Sequence, residues 1–199
     1  MLHRLFLAGL ALLAAPAAAQ VQAAGPPPGA YRTAAAYRHR QPQPAGTTVY
    51  YPDKRGQVVV LVPRGPATEK RRIAPDSLWG FVAGNGRTVR LYRGGEYRLE
   101  AADTLCLYSG SAAGGGGPVA GLYGGRGAGA TRYYFSRGPG GFIFPLTLHY
   151  LREMYTASYP AFVVRLGQLG FAESLMDVDR HTGRYRVSTL YHDPAAPGR

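Results

Sequence analysis

DSLWGFVAGNGRTVRLY, residues 76–92, places two apolar runs on either side of a Gly-Asn-Gly turn and holds the chain's only tryptophan, Trp79. Two registers are open to such a hairpin, and they assign its side chains to opposite faces. A two-residue Asn85-Gly86 turn would pair Trp79 with Tyr92 and Phe81 with Arg90, displaying an aromatic–arginine face. A three-residue Gly84-Asn85-Gly86 loop, with Gly86 left-handed, instead gathers Trp79, Phe81, Val89 and Leu91 on one apolar face. Thr88 and Arg90 then turn to solvent. The next run favours the second register, because Tyr97 and Leu99 continue its apolar face while Arg98 points outward beside Arg90. Trp79, Phe81, Val89 and Leu91 are thus expected to form the structural centre of the protein.

Strand-like segments extend from this hairpin in both directions. TTVYYPDKRGQVVVLVP (47–63) reads as two strands around an Asp-Lys-Arg-Gly turn, the second rich in β-branched valine. RGPATEKRRIAP reads as a basic connection, with Lys70-Arg71-Arg72 in a solvated loop. Further strands are expected near Glu96–Glu100, with both acids on a solvent face, and near Thr104–Ser109. TRYYFSR and GFIFPL form another hairpin, and Pro145 belongs at a strand end because it cannot donate to a ladder. The period then becomes helical. Thr147 is positioned to cap LHYLREMY, Tyr159-Pro160 opens a second helix, and AESLMDVD suggests a short third one. RYRVSTLYHD is compatible with either strand or helix. The fold class expected is α+β: a curled antiparallel β-meander sheet of six to eight strands with a small C-terminal helical layer.

The ends of the chain suggest where it works. His3 and Arg4 precede an apolar run from Leu5 to Ala15, and Ala17-Ala18-Ala19 offers small residues for cleavage, so residues 1–19 read as a signal peptide. The run is too short to span a bilayer, and the mature chain contains no second apolar stretch of that length. Residues 20–46 read as a disordered Pro/Gly/Arg leader, 47–193 as a single β-rich domain and 194–199 as a tail. Export to the periplasm, outer envelope or extracellular space is expected. Cys106, the only cysteine, rules out an intramolecular disulfide.

Lys and Arg total 23 against 11 Asp and Glu, a formal charge of +12 that attracts polyanions. For an exported protein these would be an anionic glycan, lipopolysaccharide, lipid headgroups or another envelope protein rather than genomic nucleic acid. Catalytic signatures are missing from the sequence. The glycine-rich loop at 110–130 matches neither G-x-x-x-x-G-K-[ST] nor G-x-G-x-x-G, and G-x-S-x-G is absent. His149 and Glu153 lie four apart on one helix face but need further ligands to hold a metal, so neither a metal nor a cofactor is expected. What recurs is tyrosine beside arginine, as in Tyr92-Arg93, Tyr97-Arg98 and Arg132-Tyr133, a pairing favoured by anion- and glycan-binding surfaces. Arg90, Tyr92, Arg93, Arg98 and Arg132 are therefore the candidate binding residues. These features describe a non-catalytic binding or structural module with a basic Tyr/Arg-rich surface. The alternatives are a hydrolase or transferase whose active site is assembled from distant residues, and an adaptor or inhibitor of one secreted partner.

Leu78-Trp79-Gly80-Phe81-Val82, followed by Gly86 and Val89, resembles one unit of the bacterial WG-type β-hairpin repeat. The order of LWGFVAGNGRTVRLYRGGEYRL, TLCLYS, TRYYFSR, PLTLHYLREMY and RHTGRYRV is similar to that in a family of uncharacterised exported proteins of Bacteroidota-like bacteria. That resemblance covers residues 47–192 and implies a Gram-negative envelope or secreted location; it supplies no activity and no functional residues.

Overall fold

The structure, a computed structural model, describes residues 25–44, 48–52, 56–111, 131–170, 173–180 and 182–192, with 48–52 and 111 described at the backbone alone. The expected signal peptide, the C-terminal tail and most of the glycine-rich loop lie outside these residues. The elements run β1 (Gly29–Tyr31), α1 (Ala34–Arg38), β2 (Thr48–Pro52), β3 (Val58–Arg64), β4 (Ala67–Ile73), β5 (Gly80–Val82) and β6 (Thr88–Tyr92). They continue as β7 (Gly95–Ala101), β8 (Leu105–Ser111), β9 (Thr131–Arg137), β10 (Phe144–Pro145), α2 (Leu148–Tyr155), α3 (Pro160–Gly167) and α4 (Arg186–His192). A seven-stranded sheet has the order β1-β5-β6-β7-β8-β9-β10, and β2-β3-β4 form a second sheet. Every pairing between these strands is antiparallel. This is an α+β fold built around a meander.

The β5–β6 hairpin adopts the three-residue register. Phe81 faces Val89, Gly80 faces Arg90, and Gly86 takes φ +79°. The Ala83 N–H donates to the Arg87 carbonyl at 2.8 Å, closing the loop. Gly80 is required by proximity rather than by its dihedrals, since a Cβ there would lie 2.2 Å from the Val89 carbonyl oxygen. The Trp-Gly pair thus lets β5 approach β6 closely enough to pair.

Two expectations about the faces are corrected. The alternation breaks at Gly80, so Leu78 and Phe81 pack with Val89, Ala30, Val58 and Val60, whereas Trp79 packs on the other side with Tyr31, Tyr37 and Val82. Trp79 is a core residue but does not share a face with Phe81, Val89 and the half-buried Leu91. Thr88 and Arg90 are buried rather than solvated, at 7% and 3% exposure. The cause is the next turn: Arg93-Gly94 is a two-residue connection that sets Tyr97 opposite Arg90 and Arg98 opposite Val89. Tyr97 and Leu99 consequently share a face with Arg90, and Arg98 lies on the reverse face.

For convenience, the face holding Arg90 is called the front of the large sheet. Its back is covered in two parts. The β2–β4 sheet lays Val58 and Val60 over Phe81 and Val89. Further along, α2, α3 and α4 bury Leu151, Tyr155, Phe162, Leu166 and Val187 against Leu105, Leu107 and Phe135. Thr147 caps α2 by accepting from the Tyr150 N–H at 3.3 Å, and Pro160 starts α3. Arg165 ties α3 to α4, its Nε donating to the Leu190 carbonyl at 2.8 Å.

Three segments differ from the sequence expectation. The leader over 20–46 does not extend through residues 29–38: β1 pairs with β5, Tyr31 is fully buried, and Tyr37 of α1 stacks on Trp79 with centroids 4.3 Å apart. Residues 67–73 form a strand, β4, rather than a loop. Residues 173–180 form turns and one bridge, Val178 to Tyr185, rather than a third helix, while RVSTLYH is helical.

Candidate functional site

The front of the large sheet concentrates the unusual chemistry. Register places Thr88, Arg90 and Tyr92 of β6 here, with Gly95, Tyr97 and Leu99 of β7. Cys106, Tyr108 and Gly110 of β8 join them, with Arg132, Tyr134 and Ser136 of β9. None of these residues is acidic.

Arg90 anchors the site. Its guanidinium is buried, meets no carboxylate among the described residues, and donates to neutral acceptors. Nη1 donates to the Tyr108 hydroxyl at 3.1 Å and to Ser136 Oγ at 3.3 Å, while Nη2 donates to the Gly141 carbonyl at 2.6 Å. Ser136 Oγ donates its single hydrogen to the Gly138 carbonyl at 2.7 Å, so Tyr108 must be the donor in the 2.9 Å contact between the two hydroxyls. Burial pushes the Tyr108 phenol up to about 12, which keeps that hydrogen in place. The indole Nε1 of Trp79 donates to the Pro139 carbonyl at 2.6 Å. Ser136 of β9, Arg90 of β6 and Trp79, just before β5, therefore hold the carbonyls of Gly138, Gly141 and Pro139, and the Gly141 carbonyl with the two hydroxyls gives the guanidinium the negative potential a counter-ion would otherwise supply.

From Arg90 a run of alternating rings and cations leads outward. The Arg90 guanidinium carbon lies 5.7 Å from the Tyr108 ring centroid and 5.2 Å from that of Tyr92. Arg93 lies 5.3 Å from the Tyr92 centroid and 5.9 Å from that of Phe142. Phe142 is 65% exposed, unusual for so large an apolar side chain. Arg93 has φ +49° at the first position of the β6–β7 turn, where glycine or asparagine would be less strained. A bulky residue held in that conformation costs roughly 1 kcal/mol. In that conformation the guanidinium stands between Tyr92 and Phe142.

Glycine shapes the neighbouring surface. A Cβ at Gly95 would lie 2.9 Å from Tyr97 Cε2, and one at Gly110 would lie 3.3 Å from Tyr134 Cε2, so both rings rest on bare backbone. The two rings meet edge to face at 5.0 Å. Burial, and then the neighbouring Tyr134 and Tyr92, raise the Tyr97 phenol and keep it neutral.

Three of the five sequence-derived binding candidates, Arg90, Tyr92 and Arg93, come together here. Arg132 is exposed on the same face, two strands away from Tyr97. Arg98 is on the back, with Nε 3.4 Å from Glu100, which also accepts from Ser109. Phe142 and the loop carbonyls are not apparent from local sequence because they arrive from another hairpin. The Arg93-Gly94 pair between two strand runs was the available signal for the tight turn. Glu96, expected on a solvent face, is half-buried beside Leu91 on the back, and burial raises its carboxyl to about 7.

The catalytic alternatives gain little from this geometry. Cys106 is fully buried, its S–H donates to the Asp103 carbonyl at 3.0 Å, and burial pushes the thiol up, away from the thiolate a nucleophile requires. His149 is on α2, behind the sheet, 3.7 Å from Glu153 in an exposed pair. His192 Nε2 is 2.6 Å from the Asp103 carboxylate. His181 lies outside the described residues. Among the described residues no three His, Cys, Asp or Glu side chains gather as metal ligands. No family model matches the chain, and neither a curated protein nor a solved structure similar to it was found.

Proposed function

We propose that this is a non-catalytic exported protein of the bacterial envelope that binds an anionic glycan at the accessible rim of the front of its large sheet, around Tyr92, Arg93 and Phe142. The observation carrying this reading is the composition of the accessible part of that face: Arg132 and the half-buried Tyr92, Tyr97 and Tyr134 with no acid among them, ending in Arg93 between Tyr92 and Phe142, over a buried Arg90. Aromatic rings offer flat apolar surface to sugar rings, and a guanidinium offers paired donors to carboxylate or phosphate. The strain at Arg93 and the exposure of Phe142 are also what a preformed recognition tip requires. Export is supported by Arg4, the apolar run to Ala15 and Ala17-Ala18-Ala19. In that compartment lipopolysaccharide and acidic glycans are the available polyanions. The resemblance to uncharacterised exported proteins of Bacteroidota-like bacteria implies an envelope or secreted location.

Retention of the protein on immobilised lipopolysaccharide or peptidoglycan fragments at low ionic strength tests the reading, with release expected as salt rises. Arg93→Gly and Phe142→Ala should together weaken retention about tenfold or more, a loss of roughly 1.4 kcal/mol. Arg93→Gly relieves the left-handed strain, so the variant keeps its fold and its loss of binding reports on the site. Absence of retention at low salt removes the proposal.

A further inference from the structure

The donors of Arg90 outnumber the acceptors around it. An arginine side chain carries five N–H groups. Nη1 donates to Tyr108 and Ser136, and Nη2 donates to Gly141. Nε is buried and has no acceptor among the described residues, and Arg90 as a whole is only 3% exposed. A buried donor without an acceptor is costly, and more so when it carries charge. Nε and Nη2 share one edge of the guanidinium, the edge that a carboxylate grips with two parallel hydrogen bonds. On that edge Nε is wholly free, and Nη2 has a second hydrogen beyond the one that Gly141 accepts.

The side chains around this edge admit an anion and connect it to the accessible rim. Tyr97 stands opposite Arg90 on β7, Tyr92 follows it on the same face of β6, and no acid lies on the front of these strands. The Tyr92 ring centroid is 5.2 Å from the Arg90 guanidinium and 5.3 Å from that of the exposed Arg93. One half-buried ring therefore touches both the buried cation and the exposed one. Charge limits what can reach the inner cation. A carboxylate has a single negative charge and neutralises Arg90. A phosphate monoester has about 1.5 to 2 negative charges near neutral pH and would leave an excess among buried rings.

We propose that Arg90 is the specificity residue of this site: with Tyr92 turned aside, its Nε–Nη2 edge takes the carboxylate of an acidic sugar, so that carboxylated glycans are selected over phosphorylated ones. This rests on the rim being a glycan-binding site. Arg93 attracts the chain from solvent, and Arg90 reads its acid group.

The test is proton–nitrogen NMR of the arginine Nε–H groups in the full chain, with Arg90 assigned by the signal missing from both Arg90→Met and Arg90→Lys. D-glucuronate should move the Arg90 signal saturably as that hydrogen gains an acceptor. Glucose, and sodium chloride at the same ionic strength, should leave it in place. Glucose 6-phosphate should need at least a fivefold higher concentration for half its effect. Arg93→Gly should weaken glucuronate about fivefold while reaching the same final shift, and circular dichroism establishes that each variant is folded. A signal that glucuronate does not move overturns the proposal. If the parent is still retained on lipopolysaccharide at low salt, the rim reading survives that result; if retention is absent as well, both fall. An equal shift with chloride shows an adventitious ion only and overturns the proposal, as does glucose 6-phosphate binding as tightly as glucuronate.

Discussion

Removing the Arg90 guanidinium tests how a cation is kept inside this protein without an anion. Arg90→Met retains most of the apolar stem and deletes three hydrogen bonds, to Tyr108, Ser136 and Gly141. Hydrogen bonds to a charged group contribute about 1.5–3 kcal/mol each, a gross 5–9 kcal/mol. Against that stands a desolvation penalty of several kcal/mol for a buried ion. Tyr108 and Ser136 keep each other as partners in the variant, which leaves the Gly141 carbonyl as the main acceptor deprived of a donor. The expected net loss for Met is therefore about 1–3 kcal/mol. Arg90→Lys should be no better than Met, because an ammonium cannot reach Tyr108 and Gly141 in the forked geometry yet still carries the desolvation cost. Urea unfolding followed by Trp79 fluorescence reads both variants, Trp79 being the sole tryptophan. A Met variant as stable as the parent would show that the carbonyl cradle does not offset desolvation. A Lys variant clearly more stable than Met would show that charge, not the fork, matters.

Gly80→Ala should destabilise by about 3 kcal/mol, because the added methyl meets the Val89 carbonyl and β6 must shift; thermal melting within about 1 kcal/mol of the parent would contradict this. Trp79→Phe preserves an aromatic ring against Tyr37 but loses the bond to Pro139, a cost of about 1–3 kcal/mol, whereas Trp79→Ala should cost about 3–5 kcal/mol; parity of the two would assign no role to the indole N–H. Glu96 has a carboxyl raised to about 7 by burial, so the folded state holds its proton more tightly than the unfolded chain. Its contribution is fully present below about 4.5 and is lost as pH rises through about 7. Chemical denaturation across that window should show stability falling, and Glu96→Gln should flatten the slope; an unchanged slope would place the titration elsewhere.

Features governed by local chemistry were legible in the sequence. The Gly84-Asn85-Gly86 loop, the Thr147 cap, the Tyr159-Pro160 helix start and the meander of neighbouring strands each follow from short-range rules. The misses share a physical cause, which is that burial is decided by distant partners. β1 is three residues long and shows no periodicity; it becomes a strand because β5 offers an edge. β4 lacks alternation because both its faces are largely wet, so ATEKRRI resembles a loop. Arg90 and Thr88 were assigned to solvent by the period of β6, but that strand is covered on both faces. For the candidate site, adjacency of tyrosine and arginine located Tyr92 and Arg93, and Arg90 lies two residues before Tyr92 on the same strand face. Phe142 comes from a hairpin some 50 residues away, a juxtaposition that no local pattern encodes.

The position of β1 also bears on the order in which the chain is completed. Strands β5 through β8 pair successively across short connections, so their contacts close short loops and can form early. β1 must wait for a partner about 50 positions downstream, and until it arrives Trp79 lacks Tyr31 and Tyr37. A chain emerging N-terminus first therefore carries its earliest strand unpaired while β2, β3 and β4 assemble among themselves. Closure of that strand, rather than the formation of any hairpin, completes the core around Trp79.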